Sequence, residues 1–175
     1  MRFPELLREA GYYTVLAGKN HMFKNAKSDK AFDSITKGGG PGGEEDWVKH
    51  LQDRPKNKPF FFWFASNDAH RAWKLSKEAP TYALEDVVVP PYLLDSKITR
   101  EDLANYYHEV SRFDHYIGLV TAELEKQGVL DNTMIVIAAD NGRPFPRCKA
   151  RLYDSGIKTP WVVHFPKQIK QASIS

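Results

Sequence analysis

The stretch Met134-Ile135-Val136-Ile137-Ala138-Ala139-Asp140-Asn141-Gly142 is an apolar run of strand length that stops at a carboxylate, a carboxamide and a glycine. Just upstream, residues 99–127 repeat Leu103, Tyr106, Val110, Phe113, Ile117, Val120 and Leu124 every three or four positions, which predicts a long amphipathic helix. Thr99 and Asp102 stand at capping-box spacing at its start, and Gly128 ends the pattern. A further strand is expected at residues 161–165, bounded by Pro160 and Pro166. Strand, helix and strand in this order predict an α/β fold with a largely parallel sheet flanked by helices. In such sheets ligand chemistry gathers beyond the carboxyl ends of the strands. Asp140 and Asn141 would stand there as hard oxygen donors for Ca²⁺ or Mg²⁺. The alternative is a strand closed by an ordinary Asn-Gly turn, with no metal.

Working outward, residues 59–65 (Pro-Phe-Phe-Phe-Trp-Phe-Ala) are apolar on both faces, the pattern of a strand buried between helical layers. This run ends at Ser66-Asn67-Asp68-Ala69-His70-Arg71, a second polar group after a strand. Nearer the start, residues 4–10 read as a helix with Leu6, Leu7 and Ala10 inward and Gly11 as its stop. Residues 12–17 follow as a short β run ending at Gly18-Lys19-Asn20-His21. Residues 24–43 are polar and read as a mobile loop, whose closing run Gly38-Gly39-Gly40-Pro41-Gly42-Gly43 could serve as a linker. Residues 44–51 suit a helix, with Trp47, Val48 and Leu51 on one face. Residues 72–96 are irregular and proline-bearing, extended around Val87-Val88-Val89-Pro90-Pro91.

Composition bounds the function. The 175 residues fit one domain able to bury a core, with 42% hydrophobic, 27% charged and 13% aromatic residues, which argues against disorder. The net charge of +3 is mild, and no Lys/Arg block suggests a nucleic-acid footprint. No stretch approaches a membrane span. The N-terminal residues lack the apolar core of a signal peptide and read like a chain starting inside a domain. Cys148 is the only cysteine, so no intramolecular disulfide can form.

Three polar groups thus follow strands: Lys19 with His21, His70 with Arg71, and Asp140 with Asn141. Lys149 comes shortly after, in Arg143-Pro144-Phe145-Pro146-Arg147-Cys148-Lys149. Parallel strands would bring all of them to one sheet edge. A metal flanked by Lys and His donors suits an oxyanion such as sulfate or phosphate.

Here the chain resembles the sulfatase family, within the alkaline-phosphatase-like superfamily, over nearly its whole length. Gly18-Lys19-Asn20-His21 resembles that family's Gly-Lys-x-His element, preceded by the similar Leu7-Arg8-Glu9-Ala10-Gly11-Tyr12-Tyr13-Thr14. Asn67-Asp68-Ala69-His70-Arg71 is similar to the Asp-x-His-Arg element of the heparan N-sulfatase-like branch. Gly128-Val129-Leu130-Asp131-Asn132-Thr133 and Ala139-Asp140-Asn141-Gly142 resemble its Gly-x-x-Asp-Asn-Thr and Ser-Asp-Asn-Gly segments, and residues 152–160 continue the match. The resemblance implies an alkaline-phosphatase-like α/β fold and hydrolysis of sulfate esters or sulfamates on sulfated carbohydrate. It implies that Asp140 and Asn141 ligate a divalent cation, usually Ca²⁺ with Mg²⁺ possible. Lys19 and Lys149 would bind sulfate oxygens, His21 would assist breakdown of the covalent sulfate intermediate, and His70 would hold sulfate or protonate the leaving group. Arg71 would contact an acidic sugar.

The departures are as informative. The family nucleophile is a formylglycine made within Cys/Ser-x-Pro/Ala-x-Arg. Cys148-Lys149-Ala150-Arg151-Leu152 misses that pattern at Leu152 and lies in the wrong part of the family order. An upstream Asp-Asp pair completing the metal site is also missing. The expectation is therefore the central part of a sulfatase catalytic domain, residues 1–175, incomplete without flanking regions of a parent chain. By the same resemblance that parent would be periplasmic, secreted or lysosomal. Two alternatives stay open: a phosphoric-ester hydrolase of the same superfamily, although Asp140-Asn141 stands where two-zinc enzymes carry an Asp-His pair, and a non-catalytic or degenerate sulfatase-fold protein. Tyr106, Tyr107, His50, His108, His115 and His164 read as structural, and Cys148 as a free thiol without a catalytic role.

Overall fold

The computed structural model describes residues 2–21 and 30–169. Residues 24–29 of the loop expected over residues 24–43 lie outside the described residues, and the remainder is not all loop, since Ser34–Thr36 form a strand.

Helix α1 (Phe3–Glu9) starts with Pro4 in its first turn and leads to Gly11 at φ 91°, as the sequence predicts, but it buries Pro4 while Leu6 and Ala10, expected inward, are exposed. It feeds strand β1 (Tyr13–Gly18), which lies between β2 (Ser34–Thr36) and β3 (Phe60–Ala65) in a parallel sheet. Central position explains burial: Thr14 through Gly18 are all buried. The sequence suggests β3 as the strand covered on both faces. Instead β3 is an edge strand, half-buried along its length, with Trp63 exposed. Its aromatic run is spent on ring contacts, such as Trp47 stacked on Phe64 at 5.0 Å between centroids.

Helix α2 (Trp47–Asp53) begins three residues later than expected and buries Trp47 and Leu51. Helix α3 (Lys97–Lys126) is 30 residues long and joins two cores. Its C-terminal half packs Tyr116, Val120 and Leu124 against β1 and α2, through Val15, Ala17, Trp47 and Leu51. Its N-terminal end packs Leu103 and Ala104 with Val87, Phe145 and Cys148. The capping box at Thr99 and Asp102 does not form. Ser96 is the cap, its Oγ accepting from the Thr99 N–H at 3.3 Å, and Asp102 is drawn to Arg71 and Trp73. Nor is the inner face uniformly apolar. Val110 is exposed, because the middle turns bury His108, Glu109 and Arg112 instead. His108 is structural, its Nε2 accepting from the Ser76 N–H and its Nδ1–H donating to the Pro80 carbonyl.

Strand β4 (Ile135–Ala138) corrects the expectation of one parallel sheet. It pairs antiparallel with β5 (Trp161–His164) in a separate two-stranded sheet. A parallel return needs a crossover, usually a helix. The connection between these strands holds only the single turn α4 (Asp154–Ile157). Among the described residues no helix is long and apolar enough to cross a membrane.

Gly18 joins β1 to the first polar group. Its φ is 111°, and a Cβ there would sit 1.9 Å from the Ala65 carbonyl oxygen, the same oxygen that accepts from the Lys19 N–H at 2.7 Å. Gly18→Ala is expected to lower stability by about 2 kcal/mol or more, read from denaturant midpoints. An unchanged midpoint would mean that β1 and β3 separate here at little cost.

Candidate functional site

The carboxyl ends of β1 and β3 open into one polar cavity of about 270 Å³. Lys19 and His21 line it from the β1 side, and Asn67, Asp68, His70, Arg71 and Lys74 from the loop after β3. Two of the polar groups picked out in the sequence therefore do meet at one sheet edge. His70 is exposed, and its Nδ1–H donates to the Arg71 carbonyl at 2.5 Å. That bond assigns the proton to Nδ1 in the neutral ring and leaves Nε2 as the nitrogen free to exchange a proton.

Below the cavity lies a group that the sequence reading missed. The Arg112 guanidinium is fully buried and grips Asp68 in a fork, Nε to Oδ2 at 2.8 Å and Nη2 to Oδ1 at 2.7 Å. Its Nη1 donates to the Lys74 carbonyl and to Ser76 Oγ at 3.2 Å. Glu109 is one turn earlier on α3, 3.7 Å from the same cation. Its carboxylate accepts the His70 N–H at 3.1 Å and the Lys74 N–H at 2.7 Å. These bonds fix the backbone that carries His70. Burial acts to lower the Arg112 pKa but is outweighed by Asp68 and then Glu109, so the guanidinium is held charged. Burial is the main cause raising the Glu109 pKa. The signal available in the sequence was helical spacing: Glu109 and Arg112 lie three apart on the face that also carries Tyr116 and Val120.

Glu44 adds a third buried carboxyl. Ser66 Oγ donates to its Oε1, while Oε2 has no hydrogen-bond partner among the described residues. The glycine run folds over this carboxyl rather than acting as a linker. A Cβ at Gly42 would meet a Glu44 oxygen at 2.1 Å, and the Gly42 carbonyl accepts from the Asn67 N–H at 2.7 Å. Burial, reinforced by nearby Asp68, pushes the Glu44 pKa up to about 7.

The remaining sequence candidates sit in the loop after β4 and are not among the residues lining the cavity. Asp140 is exposed. Asn141 donates its Nδ2 to the Gly142 carbonyl at 2.9 Å, leaving Oδ1 as its available ligand oxygen. A carboxylate beside a carboxamide suits a hard cation, but the pair is a partial set against the six to eight oxygens typical of Ca²⁺. No grouping of three or more His, Cys, Asp or Glu able to hold a metal occurs among the described residues. Asp140 and Asn141 can thus hold a cation only together with further ligands. Lys149 donates its N–H to the Arg143 carbonyl at 3.1 Å, and left-handed φ values at Arg147 and Ala150 bend the chain around it. Arg71 bridges toward this loop, with Nε donating to the Pro144 carbonyl at 3.1 Å and the guanidinium paired to Asp102. Cys148 is buried beneath the loop, 3.4 Å from the Tyr92 hydroxyl.

The sulfatase family profile matches residues 45–175. The chain belongs to the sulfatase family. Among curated relatives of this sulfatase chain, human N-sulphoglucosamine sulphohydrolase is 28% identical over 96% of the chain. An ulvan-active sulfatase from Formosa agariphila is 28% identical over 95%. The chain spans 39% and 32% of the lengths of these two proteins. The fold is that of solved alkaline-phosphatase-superfamily structures. A protein solved with its substrate D-glucosamine-2-N,6-O-disulfate superposes with a TM-score of 0.72 at 19% identity, over 97% of this chain and 56% of that one. A superfamily member from Vibrio parahaemolyticus gives 0.51 at 20% identity, over 94% and 41%.

Two outcomes follow from the buried charges. Above the ordinary carboxylate value and up to about pH 7, the folded chain holds a Glu44 proton that the unfolded chain has released. Stability therefore falls as pH rises through that window, by an amount on the order of 3 kcal/mol. Glu44→Gln should flatten the pH 5–8 slope in thermal melts and raise the melting temperature at pH 8; an unaltered slope would assign the proton elsewhere. Arg112→Met strands Asp68 and Glu109 without their cation and should cost about 3–5 kcal/mol in urea unfolding. A loss below about 1 kcal/mol would mean that water reaches the pair.

Proposed function

We propose that this chain supplies the anion-holding part of the catalytic site of a sulfuric-ester or sulfamate hydrolase acting on sulfated carbohydrate. The observation that carries the reading is the meeting of Lys19, His21 and His70 at one cavity on the carboxyl edge of β1 and β3. Family membership narrows the oxyanion to sulfate, and the names of the relatives point to sulfated carbohydrate.

In this proposal Lys19 holds sulfate oxygens and stabilises charge developing on them, as fixed cations do in sites closed to water. His70, with Nδ1–H committed to the Arg71 carbonyl, holds sulfate or, once Nε2 has taken up a proton, delivers it to the departing oxygen or nitrogen. His21 serves the return of the nucleophile to its resting form. Lys149 joins the sulfate oxygens from the loop after β4. Asp140 and Asn141 belong to a Ca²⁺ site, Mg²⁺ being the alternative, whose other ligands come from a longer parent chain. When bound, that cation would offset the negative charge of the sulfate.

The nucleophile, a formylglycine by family, is proposed to lie outside these 175 residues. Cys148 is a poor substitute, being buried and bonded within its own loop. The parent is proposed to work in a periplasmic, secreted or lysosomal setting.

Sulfate titrated into the 175-residue chain and followed by NMR tests the anion site. Expected are shifts confined to residues 18–21, 66–74 and the 143–149 loop that carries Lys149, with affinity about tenfold weaker in Lys19→Met. Shifts elsewhere, or an unchanged affinity in Lys19→Met, would reject the site. The chain alone should show no aryl-sulfate turnover above background, since binding groups cannot replace a nucleophile. Turnover that survives rigorous purification would place the nucleophile within it.

A further inference from the structure

Arg71 was marked in the sequence as a substrate contact, yet its donors are largely spent inside the protein. Nη1 and Nη2 hold the two carboxylate oxygens of Asp102, and Nε donates to the Pro144 carbonyl at 3.1 Å. The cation lies 4.9 Å from the Trp73 ring centre and 5.0 Å from that of Phe145. Asp102 is fixed from a second side by the Trp73 Nε1–H at 2.6 Å. Trp73 and Phe145 stack at 6.1 Å, and Tyr106 meets Phe145 edge-on at 5.6 Å.

These contacts join three places. Arg71 and Trp73 belong to the loop that carries His70. Asp102 and Tyr106 are on α3. Pro144 and Phe145 lie between Asp140-Asn141 and Lys149. The two sheets share no ladder, so no strand pairing aligns the loop after β4 with the cavity. We infer that Arg71 is a positioning residue, the clasp that holds the loop carrying Asp140, Asn141 and Lys149 against the cavity. An acidic sugar would have to displace a carboxylate already held in a two-point fork, together with its aromatic surround. A partly exposed ion pair alone would be a weak tether in water. The fork, the carbonyl and the two rings together make a directional one. The function of the clasp rests on the sulfatase reading above; its existence does not.

The test is residue-resolved hydrogen exchange on the 175-residue chain, as wild type, Arg71→Ala, Arg71→Lys, Asp102→Asn and the Arg71→Ala/Asp102→Asn double variant. Amides of Cys148 and Lys149, bonded to the Phe145 and Arg143 carbonyls, should exchange about tenfold faster in every variant. Amides of β1 should change little, and the double variant should match the singles, because each substitution opens the same clasp. Arg71→Lys and Asp102→Asn keep volume and serve if Arg71→Ala does not fold. Unchanged exchange at residues 142–149, or additive effects in the double variant, would overturn the inference. A sulfate titration on the same set separates the two roles. Equal weakening in Arg71→Ala and Asp102→Asn supports the clasp. Weakening in Arg71→Ala with strengthening in Asp102→Asn would make Arg71 a ligand contact and refute it. If sulfate binds none of the proteins, the proposed function fails, and the exchange comparison still decides the clasp.

Discussion

The pairing of Arg112 with Asp68 and Glu109 is the constraint on which the rest depends. A guanidinium without solvent exposure cannot stay charged unless its donors are met, and here they are met by a fork, a carbonyl and a hydroxyl. The acceptors belong to the loop after β3, so satisfying Arg112 fixes that loop on α3. Glu109 then takes the backbone N–H groups of His70 and Lys74, and the cavity wall follows. A looser loop would leave buried charge unpaired, which gives the arrangement its discrimination against alternatives.

The same demand explains the neighbouring chemistry. One buried cation faces three buried carboxyl groups, those of Asp68, Glu109 and Glu44, and the surplus acid is relieved by taking up a proton. The cavity above is lined by basic groups from two strand ends. Cationic donors at an open rim over a rigid acidic base suit reversible capture of an anion, because the donors can be solvated before the anion arrives.

Much of this was legible in residue order. The motifs at Lys19, His70 and Asp140 marked the family, and hydrophobic patterning located α1, α3, β1, β3, β4 and β5 to within a few residues, while β2 fell inside a stretch read as loop. What escaped notice was decided by tertiary pairing. Asp102 has the sequence of a cap partner and Arg71 that of a ligand contact, yet each is claimed by the other across 31 residues. Glu109 and Arg112 look like solvated helix charges until their face turns inward. The aromatic run of β3 suggested a central strand, but only sheet order reveals that β1 occupies the centre. The return from β4 to β5 likewise depends on the missing crossover helix rather than on either strand's composition.

Helix α3 touches both cores, and at 30 residues it spans about 45 Å. It therefore works as a gauge, setting the separation of the two cores independently of the chain running between β3 and its own first turn. That chain is pinned to the gauge at separate points: His108 holds Ser76 and Pro80, and Arg100 holds the Leu84 and Val87 carbonyls. Between pins, length is cheap, since doubling a loop costs only about 0.6 kcal/mol in closure entropy. Insertions between these anchors could reshape the approach to the cavity while its walls stay in place, a route by which one scaffold can come to admit differently shaped molecules.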